Sequence, residues 1–214
     1  VKNALIVWGG WDGHQPKAMA DLLAGWLREE GFLVEVSSEL ARLAAGLGQV
    51  DLVVPCWTMG AIDGVAAKAV TDAVAAGTGI AGVHGGMGDS FRDCTEWQFM
   101  VGGQFVAHPG NMVSYTVDVR DLDHPVTAGL SSFEVMTEQY YMHVDPAVHV
   151  LASTRFPVAP GPHAANVPVD VPVAWTKRYG TGKVFYCSLG HEPEDIGSGP
   201  AAELVRRGLL WASR

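Results

Sequence analysis

Residues 79–86 read Gly79-Ile80-Ala81-Gly82-Val83-His84-Gly85-Gly86. The first five are short and apolar without alternation, as in a strand buried on both faces. The last five have the spacing of a G-x-S-x-G nucleophile elbow with histidine at its centre. Glycines beside the central residue relieve the clashes of a cramped strand-to-helix turn. A helix is expected to begin near Asp89 or Ser90, either of which can cap a segment from Phe91 to Val101. His84 would then face the positive end of a helix dipole, which disfavours imidazolium. A neutral imidazole suits a base, a metal ligand or a hydrogen-bond donor. The bland alternative is a tight turn with a spare histidine.

Working outward, the N-terminal half alternates strand and helix. Ala4–Trp8 reads as a buried strand leaving through Gly9-Gly10, and Pro16 opens a helix carrying Met19, Leu22, Leu23, Trp26 and Leu27. Gly31 stops it, and further strands are expected at 32–36 and 51–55. Val65, Ala69, Ala73 and Ala76 form the small-residue face of the helix before strand 79–83. Apolar strands separated by helices imply a mostly parallel sheet covered on both faces. After Gly103, strands are expected at 112–119, 133–138, 148–153, 171–176 and 184–188, several joined without room for a helix. That predicts a mixed or antiparallel extension, closed by a helix over Ala201–Trp211 with Leu204, Leu209 and Trp211 in the core. Phe156–Pro172 carries five prolines and reads as a surface loop or lid. No repeat or second core interrupts the pattern, so residues 1–214 are read as one domain.

Composition narrows the function. A net charge of −9 with no basic cluster opposes binding to nucleic acid or anionic lipid. Cys56, Cys94 and Cys187 are few, odd in number and far apart, as expected of reduced thiols. Val1–Trp8 is too short for a signal h-region, and no apolar run approaches the roughly 18 residues of a membrane span. A cytoplasmic location is the expectation.

In open parallel sheets, ligands bind beyond the carboxyl ends of the strands, at the switch point. Three of the eight histidines fall there: His14, His84 and His191. His14 follows the glycine-rich Gly9-Gly-Trp-Asp-Gly13, whose backbone N–H groups could take an anion or a sugar hydroxyl. Glu192 and Glu194 are close enough in sequence to orient His191. Strand alternation puts Glu138 and Tyr140 on one face. No His-Glu-x-x-His or paired Cys-x-x-Cys is present, so any metal site must be assembled by the fold. His14, His84, His191 and Glu138 would suit zinc or a similar divalent ion. Trp8, Trp11, Trp57, Tyr140 and Tyr141 could line a sugar-stacking wall, although aromatics are more often core.

The residues Gly9–His14, Gly82-Val-His-Gly-Gly86, Asp123-His-Pro-Val-Thr-Ala-Gly129, Glu138-Gln-Tyr140 and Leu189-Gly-His191 resemble, in order, the ThuA-like (trehalose-utilisation) family. The resemblance implies a flavodoxin-like three-layer sandwich of the class I glutamine-amidotransferase-like superfamily. An amidotransferase needs cysteine where His84 stands, so glutamine hydrolysis is not expected. Thr137 also replaces an aspartate of the family's Asp-Glu pair. The family implies carbohydrate metabolism, with keto-sugars supplied by a partner sugar dehydrogenase. Two readings stay open. In one, an isomerase, lyase or hydrolase uses His84, His191 and Glu138 catalytically, with Trp11, Trp57, Tyr140, Gly85 and Gly86 against the carbohydrate. In the other, the chain is a non-catalytic sugar-binding or regulatory module. Cysteine chemistry at Cys56 ranks below both, and exposed apolar patches would favour a homodimer.

Overall fold

The computed structural model describes residues Val1–Arg214. Strand β1 (Asn3–Gly10) turns Ala4 and Ile6 to one core and Leu5 and Val7 to the other, which explains its unbroken apolar run. It pairs in parallel with β2 (Leu33–Ser37) and β3 (Leu52–Thr58). β3 continues in parallel to β4 (Gly79–Val83), and β4 to β11 (Gly182–Cys187). Chain direction then reverses. β10 (Val169–Tyr179), β9 (His149–Phe156), β6 (Met112–Val119) and β7 (Phe133–Glu138) pair antiparallel in that order. The result is a nine-stranded sheet ordered β2-β1-β3-β4-β11-β10-β9-β6-β7. The fold is an α/β flavodoxin-like sandwich, mostly parallel in its first half and antiparallel in its C-terminal extension.

Helices cover both faces. α1 (Pro16–Glu29) and α6 (Gly199–Ala212) pack on one face through residues such as Leu23, Leu27, Leu204 and Leu209. α2 (Gly64–Ala75) and α4 (Thr95–Val101) pack on the other. Asp63 caps α2, its Oδ1 accepting from the N–H groups of Val65 (2.8 Å) and Ala66 (2.9 Å), a feature worth about 1 kcal/mol. α2 buries Ala66, Ala67, Val70 and Val74, while Val65 is exposed. The expected face of Val65, Ala69 and Ala73 is thus off by one residue. Both registers are apolar, and the one that places Val70 and Val74 inward fills more volume.

Three local features differ from expectation. The helix after His84 starts at once as α3 (Gly85–Gly88) and does not wait for Asp89 or Ser90. Phe91 then adopts φ 50°, a left-handed conformation no helix continues through, and α4 begins only at Thr95. Two short strands escaped the sequence pattern: β5 (Gly103–Ala107) and β8 (Tyr141–Val144) form a separate antiparallel pair. Finally, Val169–Pro172 joins β10, which shortens the proline-rich loop to residues 157–168. No helix is long and apolar enough to cross a membrane.

Candidate metal and carbohydrate site

The sheet switches direction of growth between β1 and β3, and the exits of β1, β4 and β11 converge beside that point. His14 ends a short 3-10 turn (Asp12–His14) after β1, and its Nδ1 lies 2.8 Å from the hydroxyl of Thr58 at the end of β3. His84 is the elbow residue after β4. It sits at φ 48° and ψ −141°, a strained geometry for a residue with a side chain. The strain is held by hydrogen bonds on both sides. Its N–H donates to the Cys187 carbonyl (2.7 Å), and its carbonyl accepts from the Tyr186 hydroxyl (3.0 Å). Gly85 is required here, because a Cβ at that position would stand 2.6 Å from the His14 ring. His191 follows β11 through Gly190, at φ 103°.

These placements bring three imidazoles together, with ring centroids 4.7 Å (His14–His84), 5.2 Å (His14–His191) and 5.5 Å (His84–His191) apart. Glu138 completes the group from the end of β7. Its Oε2 lies 3.1 Å from His84 Nε2 and 3.3 Å from His191 Nδ1. One ligand atom from each of the four residues falls within 4.8 Å of all the others. The carboxylate beside His191 is therefore Glu138. Glu192 and Glu194, expected to orient it, are exposed. Thr137, in place of the family's aspartate, donates its hydroxyl to Asp195 (2.6 Å) of the short helix α5 (Pro193–Ile196).

Electrostatics follow from burial. His14 is lowered to about 3, first by desolvation and then by His84 and His191. His84 is lowered as well, desolvation outweighing the hydrogen bonds that its charged form would donate to Glu138 and Ser188. For Glu138, burial acts upward, but the contact with His84 and the surrounding histidines hold its carboxyl below the usual range. At neutral pH His14 and His84 are thus uncharged imidazoles facing one carboxylate. Cys56 contributes no nucleophile: burial pushes its thiol up to about 12. The cavity it shares with His14 and His84 holds about 10 Å³, room for roughly one water molecule. A larger cleft of about 590 Å³ between α2 and α4 contains no histidine.

The aromatic residues divide. Trp11 is 47% exposed with its ring edge-on to His14 (4.7 Å). Trp57 is half-buried, and its ring lies across Gly9 and Gly60. Tyr140 is 2% exposed, stacked on His84 (3.9 Å) and touching Phe105 (4.4 Å), so it backs the His84 ring and has no free face. Gly86 packs on Cys56. His108, absent from the sequence reading, stands 3.7 Å from Glu138 Oε1. Its only sequence signal is a histidine beside Pro109-Gly110 in a loop.

Fold and site together define a flavodoxin-like α/β protein whose strained elbow carries histidine and whose strand exits form a His3Glu pocket. The chain belongs to the ThuA family, described as trehalose utilisation, which matches residues 3–212. Membership ties it to carbohydrate use. Comparison with curated proteins finds no match. Among solved structures it is similar to a ThuA-like protein from Bacteroides uniformis, with TM-score 0.80 and 19% identity over 99% of this chain and 91% of that one. A ThuA-like protein from Parabacteroides merdae gives TM-score 0.77 and 18% identity, over 99% and 89%. A β-galactosidase from Bacillus circulans sp. alkalophilus gives TM-score 0.62 and 15% identity, over 99% of this chain and 30% of that one. At such identities the likeness is one of fold.

Proposed function

We propose that this chain acts on a sugar or keto-sugar, with His14, His84, His191 and Glu138 holding a divalent metal ion such as zinc. The observation that carries the proposal is the hydrogen bonding of His84. Its Nδ1 lies 2.8 Å from the Ser188 carbonyl, which only accepts, so Nδ1 carries the proton. The neutral ring then turns the lone pair of Nε2 toward a carboxylate oxygen 3.1 Å away. Two electron pairs facing each other in a buried site call for a cation between them. His191 Nδ1 adds a third: it is buried, lacks a hydrogen-bond partner and stands 3.3 Å from the same oxygen. Separations of 3.1 and 3.3 Å match the tetrahedral edge, roughly 3.3 Å, of ligands about 2.0 Å from one zinc ion.

A bound divalent ion would supply Lewis acidity toward a carbonyl or hydroxyl oxygen of the substrate. The chain's own residues do the rest. The Ser188 carbonyl fixes the His84 tautomer, and the Thr58 hydroxyl fixes the His14 ring. Tyr140 excludes water behind His84. In a metal-free pocket, Glu138, His84 Nε2 and His191 Nδ1 would instead be placed to accept a proton from carbon beside a keto group, the step that begins isomerisation or glycoside elimination. The exposed ring of Trp11 offers a stacking face at the mouth, while Gly85 and Gly86 make room for the His14 ring and the Cys56 backbone, which sets the elbow against the pocket. A sugar dehydrogenase would supply the oxidised substrate. The three unpaired cysteines accord with a reducing cytoplasm.

The test is elemental mass spectrometry on untagged wild type and His84→Ala, with turnover of the keto-sugar made by dehydrogenase oxidation of trehalose. Near-stoichiometric divalent metal and turnover, both lost in His84→Ala, are expected. Wild type that is empty and takes up neither zinc nor manganese sinks the metal site. Stabilisation by the sugar without product under any metal would instead favour a non-catalytic binding module.

A further inference from the structure

His108 lies in the turn Ala107-His108-Pro109-Gly110 between β5 and β6. Its ring is held nearly parallel to Phe105 (5.8 Å, 27°) and Tyr140 (6.3 Å, 23°). The turn is braced from behind: a Cβ at Gly110 would meet Ala159 at 2.5 Å, and Pro109 lies against Gly161, both in the proline-rich loop. Neither ring nitrogen has a hydrogen-bond partner. Nδ1 is buried and unpaired, and Nε2 is 3.7 Å from Glu138 Oε1, beyond hydrogen-bond reach. The side chain is nevertheless 36% exposed, on the open side of the carboxylate. An oriented imidazole with no partner inside the protein is free to pair with something that arrives.

Glu138 divides its oxygens between two sets of neighbours. Oε2 faces His84 and His191, whereas Oε1 faces only His108. An oxygen atom about 2.8 Å from both Oε1 and His108 Nε2 closes a triangle on that 3.7 Å base. A hydroxyl satisfies both corners, since it donates to the carboxylate and accepts from an imidazole N–H. A carbonyl has no proton for the carboxylate, and an ammonium has no lone pair for the N–H. We propose that His108 and Glu138 Oε1 form a clamp for one hydroxyl of the substrate, a polyhydroxylated sugar. The clamp orients that sugar against the His3Glu pocket. The inference rests on the carbohydrate reading above and adds to it the residue that grips the substrate outside the metal ligands.

The experiment compares wild type, His108→Ala and His108→Gln for divalent-metal content, melting temperature and kinetics with the keto-sugar made from trehalose. His108→Ala should keep metal and melting temperature and raise KM about tenfold, the loss of one well-formed hydrogen bond. His108→Gln puts back a side-chain N–H donor without the imidazole, so it should recover part of the KM. An unchanged KM in His108→Ala overturns the clamp while leaving the metal and sugar reading intact. Metal loss in His108→Ala also overturns it, because His108 would then be a ligand. Wild type without metal or turnover sinks the reading on which the clamp depends, and the clamp with it.

Discussion

Two groupings of histidine with a carboxylate occur in this molecule, and distance alone would rank them wrongly. His149 Nε2 is 2.7 Å from Asp121 Oδ2, closer than the 3.1 Å between His84 and Glu138. His124 stacks beside it, 5.7 Å from His149 and 5.4 Å from Trp211. Yet the side chains of His149 and Asp121 are 59% and 26% exposed, against 2% and 9% for His84 and Glu138. Two further atoms of the surface group are already occupied by local backbone. Asp121 Oδ1 accepts from the N–H groups of Asp123 and His124, and His124 Nδ1 accepts from Val126. The Asp123–Gly129 segment that helped mark the family thus builds a turn. In the buried group, by contrast, two nitrogens converge on one oxygen, and one of them has no partner. Burial and unmet valence, more than proximity, separate a ligand site from a surface ion pair.

The sharpest way to break this comparison is acid. His14 titrates at about 3 in the folded protein against 6.5 for the free side chain. Between those values the unfolded chain holds one proton more than the folded one, so stability rises with pH. The contribution is complete above pH 6.5 and is lost as pH falls toward 3. Its full size is roughly 4–5 kcal/mol, of which about 3 kcal/mol falls between pH 6.5 and 4. Urea unfolding of chelator-treated protein at pH 7 and pH 4 should therefore show wild type losing about 3 kcal/mol more than His14→Gln. Parallel losses would mean that His14 is not held neutral in the folded state.

A second test acts on the carboxylate. Glu138→Gln keeps the shape of the side chain but removes the charge toward which His84 and His191 turn. Zinc affinity, read by competition with a chromogenic chelator, should fall at least about 100-fold, or roughly 2.7 kcal/mol, the upper end of what outer-shell changes cost. An affinity within a few-fold of wild type would remove Glu138 from the ligand set.

How much of this was legible beforehand depends on how local each signal is. His84 and its glycines were readable because the elbow is a contiguous strand-turn-helix feature, and His14 and His191 because strand exits are where such sheets bind ligands. The convergence of Glu138 on them was not readable. β7 lies at the far edge of the sheet, five positions from β4, and only long-range pairing and twist return its end to the pocket. Glu138 and Tyr140 were expected on one strand face, but β7 ends at Glu138, and the two reach His84 from the strand end and the connection after it. His108 was hidden further still. It follows β5, a five-residue strand whose partner β8 is almost forty residues away, with no periodicity to expose either. The face of α2 was misjudged for a different reason: in a run of alanines and valines two adjacent registers look alike, and packing volume decides.

The smallest expected effect is the most discriminating, because it concerns the shorter contact. His149→Ala deletes the 2.7 Å pair with Asp121. If proximity of histidine to carboxylate measured importance, this substitution would rival Glu138→Gln. The pair stands in water, however, where solvent screens the charges and hydrates both groups once they separate. Asp121 also keeps its two backbone hydrogen bonds through Oδ1, so the turn toward Gly129 retains its anchor. Metal content, keto-sugar turnover and melting temperature should all match wild type. A clear fall in melting temperature would show that the surface group braces the fold. A loss of metal would be the stronger reversal, since it would place the ion at the exposed cluster and leave the strand-exit histidines without it.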